Sequence, residues 1–404
     1  MCGIAGLMAV GGAEADSDTL DRLIAALRHR GPDGEGSYAA RNVALGQTRL
    51  AIIDLETGNQ PLYEPGGAVL VANGEIYNYL ELRDELGTDG FATRSDCEPP
   101  LHLYRRYGLD FVDHLRGMYA IALYDPIEGQ LVLSRDPFGI KPLYYAQTSA
   151  GFAFASEPQA LIEAGLVTPE VNAEERLELF QLQFTTGAST IFKGINRVLP
   201  GESVVVRDGR IVARRRRVAL PAEGEAPWSE AEALERLDAA LRNSVEVHQR
   251  SDVPYGMFLS GGVDSSVLLA LMAELNDQPV HAFTAGFLGT SVGDERDHAR
   301  AVAKVAGAQT VDIAISADDF WRDLPRIAGA MDDPTADYAI VPTFLLAEAV
   351  RREGLKVVLT GEGGDELFAG YGRYRSATRP WWQGGRAMRS RGVFDGLGVL
   401  RETP

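Results

Sequence analysis

The spacing of strand and helix patterns changes once along this chain, and the change predicts two domains of different class. Over the first 210 residues, many short strand patterns alternate with a few helices, which predicts an α+β domain of stacked layers. From about residue 252 strands and helices alternate regularly, which predicts an α/β domain with a mostly parallel sheet. We therefore expect domains at 2–210 and 229–404, and 404 residues suffice for two separate cores.

The segment between these domains, 211–228, is predicted to be a linker. It contains the run RRRRVALPAEGEAPW, which has four arginines, two prolines and no periodicity. The arginines are interpreted as a solvated stretch in preference to an anion site. Ser229 and Glu232 then form a capping-box pattern, so we expect a helix from there to about Arg250.

Composition excludes several classes of protein. The chain has 39 basic and 57 acidic residues and a net charge of −18, which disfavours nucleic-acid partners and anionic membranes. No apolar run reaches the ~20 residues of a membrane span, and the first basic residue is Arg22, so no signal peptide is predicted. Two cysteines, Cys2 and Cys97, exclude a disulfide framework and a cysteine-rich metal site. A cytoplasmic location is expected.

Residue types suited to amide chemistry occur in the first domain. Cys2 would gain a free α-amine on removal of Met1, and that amine can act as base for its own thiol. Arg49 can bind a carboxylate, and Asn73 with Gly74 can form an oxyanion hole. Asp96 can pair with a substrate ammonium. Each residue alone is better explained by structure, but together they suit attack on an amino acid that carries an amide.

The motifs MCGIAG, RHRGPD, RLAIID, NGEIYN, SDCE, GMYAIALYD and RDPFGIKPLYY occur in this order over residues 2 to about 205. This region resembles the class II glutamine amidotransferase domain, an N-terminal-nucleophile αββα sandwich. The resemblance implies that Cys2 is the nucleophile and that Asn73 and Gly74 bind the oxyanion. It also implies that glutamine is bound by Arg49, Leu50, Ala51, Ile52, Ile53, Asn73, Gly74, Glu75 and Asp96. Pro99 and Pro100 depart from the family pattern, and we expect them to begin a helix without displacing Asp96.

A second candidate site lies in the other domain. The run SGGVDSS, Ser260–Ser266, joins the strand pattern YGMFL to a helix. Its glycines let backbone N–H groups approach a phosphate at a helix N-terminus, and Asp264 would tolerate that phosphate only with Mg²⁺ between them. A structural glycine-serine turn is the alternative. The pattern lacks the GK[ST] of a Walker A loop.

SDVPYGMFLSGGVDSS, DDPTADYAIVPTFLLAEAVR and VLTGEGGDELFAGY, within residues 252–374, resemble the asparagine synthetase family and its N-type ATP pyrophosphatase domain, which has an adenine nucleotide alpha-hydrolase-like fold. The resemblance implies Mg²⁺ on Asp264 and Asp365, and Glu362 as the residue for forming and aminating an acyl-adenylate. It implies ATP contacts at Leu259, Ser260, Gly261, Gly262, Asp264, Ser265, Ala285, Thr360 and Gly361.

The leading hypothesis is therefore a carbon–nitrogen ligase that makes asparagine from aspartate with glutamine and ATP, releasing AMP and pyrophosphate. The same chemistry on another carboxylate, a sugar or a peptide, is the second hypothesis, and a non-synthetic glutamine- and ATP-binding module is the third. The substrates are small molecules, and a homodimer is left open. Because the family continues past residue 404, we expect a C-terminally incomplete domain, weak adenylate formation and glutamine hydrolysis uncoupled from synthesis.

Overall fold

The computed structural model describes residues 1–87, 90–220, 227–289 and 294–371, together with Pro380 and Trp382. The strands of the first domain are β1 (Gly3–Ala9), β2 (Gly34–Ala40), β3 (Val43–Arg49), β4 (Leu62–Tyr63), β5 (Val69–Ile76), β6 (Gly117–Asp125), β7 (Gln130–Arg135), β8 (Tyr144–Gln147), β9 (Gly151–Ala155), β10 (Ile195–Arg197), β11 (Glu202–Arg207) and β12 (Arg210–Arg216). Its helices are α1 (Ser17–Ala26), α2 (Tyr79–Leu86), α3 (Pro99–Tyr107), α4 (Pro158–Glu163) and α5 (Ala173–Leu182), with a 3-10 segment at Gly108–His114.

These strands form two six-stranded antiparallel sheets, ordered β10-β8-β9-β1-β3-β2 and β12-β11-β7-β6-β5-β4. Apolar side chains from both sheets pack together between them, including Ile4, Leu45, Val71 and Leu133. Helices α1 and α4 cover the outer face of the first sheet, and α2 and α3 cover the second. The layers are therefore α, β, β and α, which confirms the fold class expected of this half. The predicted helix at Pro99 is also confirmed.

The second domain contains β13 (Tyr255–Phe258), β14 (His281–Phe287), β15 (Gln309–Ile315) and β16 (Val357–Leu359) in one parallel sheet, ordered β15-β14-β13-β16. Its helices are α6 (Glu230–His248), α7 (Val263–Leu275), α8 (Arg296–Ala306), α9 (Ala317–Gly329), α10 (Ile340–Arg352) and α11 (Gly364–Leu367). Helices α6, α7 and α8 pack on one face and α10 on the other, which confirms the parallel α/β class. The capping box of Ser229 with Glu232 is formed.

The predicted linker begins too early, because β12 extends the first domain to Arg216. A tight turn at Asp208 and Gly209, both with positive φ, returns the chain to pair with β11. Arg214 donates to the Glu202 carboxylate and to the Tyr145 hydroxyl, and Arg215 pairs with Asp110. The arginine run is therefore part of an edge strand with acidic partners. Residues 221–226 of the expected linker and residues 383–404 of the expected second domain lie outside the described part of the chain.

The two domains contact each other through charged side chains. Asp333 accepts two hydrogen bonds from the Arg197 guanidinium, at 2.8 and 2.9 Å, and one from the Tyr144 hydroxyl at 2.7 Å. Across the same interface, both Nη atoms of Arg250 donate to the Glu81 carboxylate. Within the described residues, no helix is both long and apolar enough to cross a bilayer. The cytoplasmic location stays a prediction.

Candidate active sites

Cys2 lies directly before β1, where its thiol contacts the end of the neighbouring strand β3. The Leu50 backbone N–H donates to Cys2 Sγ at 3.3 Å, and Arg30 Nε donates to the Cys2 carbonyl at 3.0 Å. Burial raises the pKa of the Cys2 thiol, and the nearby Glu75 carboxylate raises it further. A thiol of this kind needs a base to ionise at neutral pH, which is the role expected of its α-amine.

Arg49 organises the loop that carries the predicted glutamine-binding residues 50–53. Its Nη1 donates to Asn59 Oδ1 at 2.8 Å, and its Nη2 donates to the carbonyls of Ile53 and Asp54. The sequence suggested a guanidinium for a substrate carboxylate, whereas both Nη atoms here bind oxygens of the protein. The arrangement places the 50–54 backbone beside Cys2.

Asn73 and Gly74 lie on β5, in the sheet that faces β1. The Asn73 side chain is 1% exposed, and its Nδ2 has no hydrogen-bond partner in the described part of the chain. Gly74 is opposite Tyr119 on β6, and a Cβ at Gly74 would lie 2.9 Å from the Met118 carbonyl oxygen. Only glycine fits there without displacing β6. An unpartnered buried amide donor is what an oxyanion site requires.

Two carboxyl groups complete the first candidate site. Asp96 Oδ2 accepts the Ile76 backbone N–H at 2.8 Å, and burial raises the pKa of Asp96 to about 6. Burial, followed by repulsion from Asp96, raises the pKa of Glu75 well above its usual range. A bound ammonium would relieve this repulsion, so the pair suits the α-amine of an amino acid.

Sequence reasoning did not select Lys141, a charged residue of this site. Lys141 is 6% exposed, and burial lowers the pKa of its ammonium while Glu75 and the Cys2 thiol oppose that shift. The Asp136 carboxylate accepts the backbone N–H groups of Ile140 and Lys141, at 2.9 and 3.0 Å, and so holds this loop. The lysine in RDPFGIKPLYY was the available signal, because a lysine in an apolar run is rarely buried without a charged neighbour.

The Ser260–Ser266 loop of the second domain has the form expected of a phosphate site. It follows β13, and helix α7 begins after Gly262. Since Gly262 has no side chain to cap the helix, no cap side chain occupies the first N–H groups of α7. Ser265 Oγ accepts the Ser260 N–H at 3.3 Å, and Ser266 Oγ donates to the Gly262 carbonyl at 2.7 Å. Gly261 has a φ of 79°, a left-handed conformation that favours glycine.

The loop after β16 lies against the same helix start. A Cβ at Gly361 would lie 3.0 Å from the Ser265 backbone nitrogen, and one at Gly364 would lie 2.4 Å from Asp264 Oδ2. The structure therefore brings Asp264, Ser265 and the 361–364 turn together. The other predicted ATP contacts, Leu259, Ala285 and Thr360, lie on or directly after β13, β14 and β16. Glu362 is exposed in this turn.

The donor set suits Mg²⁺ in part. The Asp264 carboxylate accepts no hydrogen bond from the described residues and lies at the carboxyl edge of the sheet, whereas the Asp365 carboxylate packs against Gly370. Mg²⁺ commonly takes one or two carboxylates and completes its shell with water and phosphate oxygens. In the described residues, no three His, Cys, Asp or Glu side chains form a metal-binding group. A metal held here by Asp264 would therefore need water or phosphate oxygens for the rest of its shell.

Two known protein families match this chain, one in each half. Residues 1–216 match the glutamine amidotransferase domain family, and this match ends at the last residue of β12. Residues 236–401 match the asparagine synthase family. The chain therefore combines a domain of the glutamine amidotransferase type with a domain of the asparagine synthase type. The chain belongs to the glutamine-hydrolysing asparagine synthetase family.

Three relatives show how much of a family member this chain spans. A Mycobacterium tuberculosis H37Rv protein, provisionally named a glutamine-hydrolysing asparagine synthetase, is 39% identical over 402 residues, 93% of this chain and 61% of its own length. Bacillus subtilis asparagine synthetase 1 is 38% identical and covers 86% of this chain and 55% of its own. The amidase chyE of Penicillium rubens is 34% identical, and the match covers 89% of this chain and 57% of the length of chyE. The chain thus spans less than two thirds of these relatives.

Proposed function

We propose that this chain is a glutamine-dependent, ATP-consuming amidotransferase that converts aspartate to asparagine. The observation that carries the proposal is the first site, where Leu50 contacts Cys2 Sγ and a buried Asn73 amide has no partner among the described residues. The asparagine synthase match of residues 236–401 supports a second half-reaction that consumes ATP.

In the first half-reaction, the α-amine of Cys2 takes the thiol proton and the thiolate attacks the side-chain amide carbon of glutamine. Asn73 Nδ2 and the Gly74 N–H stabilise the oxygen that becomes negative. The protonated α-amine gives its proton to the leaving nitrogen, so collapse of this intermediate expels ammonia and leaves a thioester on Cys2; water then hydrolyses the thioester and releases glutamate. Glu75 and Asp96 hold the substrate ammonium, which fixes the amide carbon near the sulfur.

In the second half-reaction, the Ser260–Ser266 loop would bind the ATP phosphates through its N–H and hydroxyl groups. Asp264 and Asp365 would hold Mg²⁺, which supplies positive charge for the pyrophosphate leaving group. Glu362 would assist the aspartate carboxylate as it forms the adenylate and as ammonia replaces AMP. Ammonia must reach that carbon without protonation, because ammonium has no free electron pair, so an internal route between the sites is part of the proposal.

A second candidate function is the same chemistry on another carboxylate. The Penicillium relative carries the name of an amidase and not of an asparagine synthetase, and it is 34% identical over most of this chain. One experiment separates the candidates: incubation of the chain with glutamine, ATP, Mg²⁺ and either aspartate or a panel of sugar and peptide carboxylates. Mass spectrometry follows glutamate, AMP and the amidated product.

AMP and asparagine formed only with aspartate support the leading proposal, and AMP formed with another acceptor supports the second. Absence of both glutamate and AMP contradicts both and favours a non-synthetic binding module. An acceptor-free sample controls for ATP hydrolysis that is not linked to amide formation.

A further inference from the structure

The 50–54 loop, which carries the predicted glutamine-binding residues, is held by two side chains of the other domain. Asp252 Oδ2 accepts the Asp54 N–H at 2.7 Å, and the Asp252 N–H donates to the Ile52 carbonyl at 3.0 Å. Lys356 Nζ donates to the Ala51 carbonyl at 3.4 Å. The loop therefore has partners in the second domain at both of its ends.

Lys356 also acts on this loop through Asp33 of the first domain. Its Nζ lies 2.7 Å from Asp33 Oδ2, and the same carboxylate oxygen accepts the Ala51 N–H at 2.8 Å. The lysine ammonium thus balances a carboxylate that fixes Ala51, next to the Leu50 N–H that contacts Cys2. A change at Lys356 would be felt by the backbone beside the nucleophile.

Further hydrogen bonds within the first domain also support the loop. The Asp54 carboxylate accepts from Thr57 N at 2.9 Å, Thr57 Oγ1 at 2.6 Å and Arg94 N at 2.9 Å. Asp54 itself has a φ of 55°, which is an unfavourable conformation for a residue other than glycine. External hydrogen bonds at Asp54 help to keep the loop in this one conformation.

Asp252 and Lys356 occupy matching places in the sheet of the second domain. Asp252 precedes β13, and Lys356 directly precedes β16, which pairs with β13 in parallel from Tyr255 opposite Val357. The carboxyl ends of the same two strands lead into the Ser260–Ser266 loop and the Thr360–Glu362 turn. One strand pair therefore meets the 50–54 loop at its amino end and carries the predicted nucleotide site at its other end.

We propose that Asp252 and Lys356 are positioning residues for glutamine, by which the second domain sets the glutamine affinity of the first. This inference rests on the proposed glutamine hydrolysis at Cys2. Neither side chain touches the reacting atoms, so both act through the backbone of the 50–54 loop. Their loss weakens substrate binding while leaving Cys2, Asn73 and Gly74 intact for chemistry on bound glutamine.

The test measures glutamate release by the full chain as a function of glutamine concentration. Lys356→Met removes the donor, and Asp252→Ala removes the acceptor; each raises KM for glutamine about fivefold while kcat stays within about twofold, as expected for loss of one charge-assisted contact. Lys356→Arg and Asp252→Asn keep a donor or acceptor and restore most of the affinity. Arg116→Met is the matched control, since Arg116 Nη1 joins the domains through Asn243 at 2.6 Å without touching the loop.

A double-mutant cycle checks the route through Asp33. In an Asp33→Asn background, Lys356→Met raises KM less than it does in the wild type, because the ion pair is already gone. Thermal unfolding is measured for each variant. If Asp252→Ala does not fold, Lys356→Met still tests the inference, because the Lys356 side chain is exposed.

Unchanged KM in both variants overturns the inference, as does a loss of kcat and stability that the conservative variants do not rescue. A rise in KM in Arg116→Met equal to that in Lys356→Met also overturns it, since any loosened interface would then have the same effect. Absence of glutamate release by the wild type instead overturns the proposed function, and this inference with it.

Discussion

The Asp96 carboxylate accepts the backbone N–H of Ile76 at 2.8 Å. Because Ile76 follows Glu75 directly in the chain, this hydrogen bond holds the buried Asp96 carboxyl group close to that of Glu75. The two carboxyl groups repel each other when both are ionised, which is unfavourable without a bound cation. Ionisation of both groups therefore costs free energy that a bound ammonium would offset. The arrangement favours affinity for a cation over stability of the fold.

The glutamine affinity is therefore expected to depend on pH through Asp96. Its pKa in the folded chain is raised from 3.8 to about 6, mainly by burial, so ionisation destabilises the fold as pH rises through that window. Ionised Asp96 pairs with the substrate ammonium, so KM for glutamine falls as pH rises from about 5 to about 7. Asp96→Asn weakens this dependence, leaving the contribution of Glu75, and raises KM about tenfold. Glutaminase kinetics across pH provide the measurement, and surface Asp110→Asn is the control.

Cys2→Ala should abolish glutamine hydrolysis, whereas Cys97→Ala should retain most of it. Only Cys2 can carry a thiol and a free α-amine on one residue, and Cys97 is a buried thiol, 4% exposed, whose pKa burial raises well above its usual range. Glutamate release by both variants gives the comparison. Activity retained in Cys2→Ala, or lost equally in both, contradicts the assignment.

Asn73→Ala should lower kcat for glutamine hydrolysis by about 10²-fold and change KM little, because the amide donates to charge that develops only in the transition state. Asn42→Ala is the matched control, since Asn42 Nδ2 already donates to the Ala9 carbonyl at 3.0 Å and so serves the fold. A loss that appears in KM alone would make Asn73 a substrate-binding residue and not an oxyanion donor.

Asp264→Asn should weaken binding of Mg²⁺-ATP by about tenfold without changing glutamine hydrolysis. Its carboxylate lies beside the start of α7 and against Gly364, where phosphate charge needs a cation. Calorimetric titration with Mg²⁺-ATP measures the effect, and exposed Asp277→Asn is the control. Unchanged affinity and unchanged AMP yield would show that the metal is held elsewhere.

Much of this fold could be predicted from the sequence, because its signals are local. Ser229 and Glu232 marked the start of α6, and strand–helix alternation after residue 252 predicted the parallel sheet. The extent of β12 could not be predicted so. Four consecutive arginines have the pattern of a solvated stretch. Their role depends on partners from other strands, because Arg214 donates to Glu202 and Tyr145.

The candidate sites show the same division between local and long-range information. The residue types of Cys2, Asn73 and Asp96 suggested their chemistry, and their motifs strengthened it. The buried position of Lys141 and the links from Asp252 and Lys356 to the 50–54 loop depend on contacts between segments far apart in the chain. No local periodicity reports such contacts, so only the folded structure shows them.

The most direct test of glutamine hydrolysis at Cys2 is peptide mapping after reaction with a glutamine-analogue electrophile. We expect one covalent adduct, on an N-terminal peptide that begins at Cys2 and lacks Met1, with glutamate release lost in proportion to labelling. Excess glutamine should protect the thiol. An adduct on Cys97, no adduct at all, or full activity in protein that retains Met1 would contradict nucleophilic catalysis by Cys2.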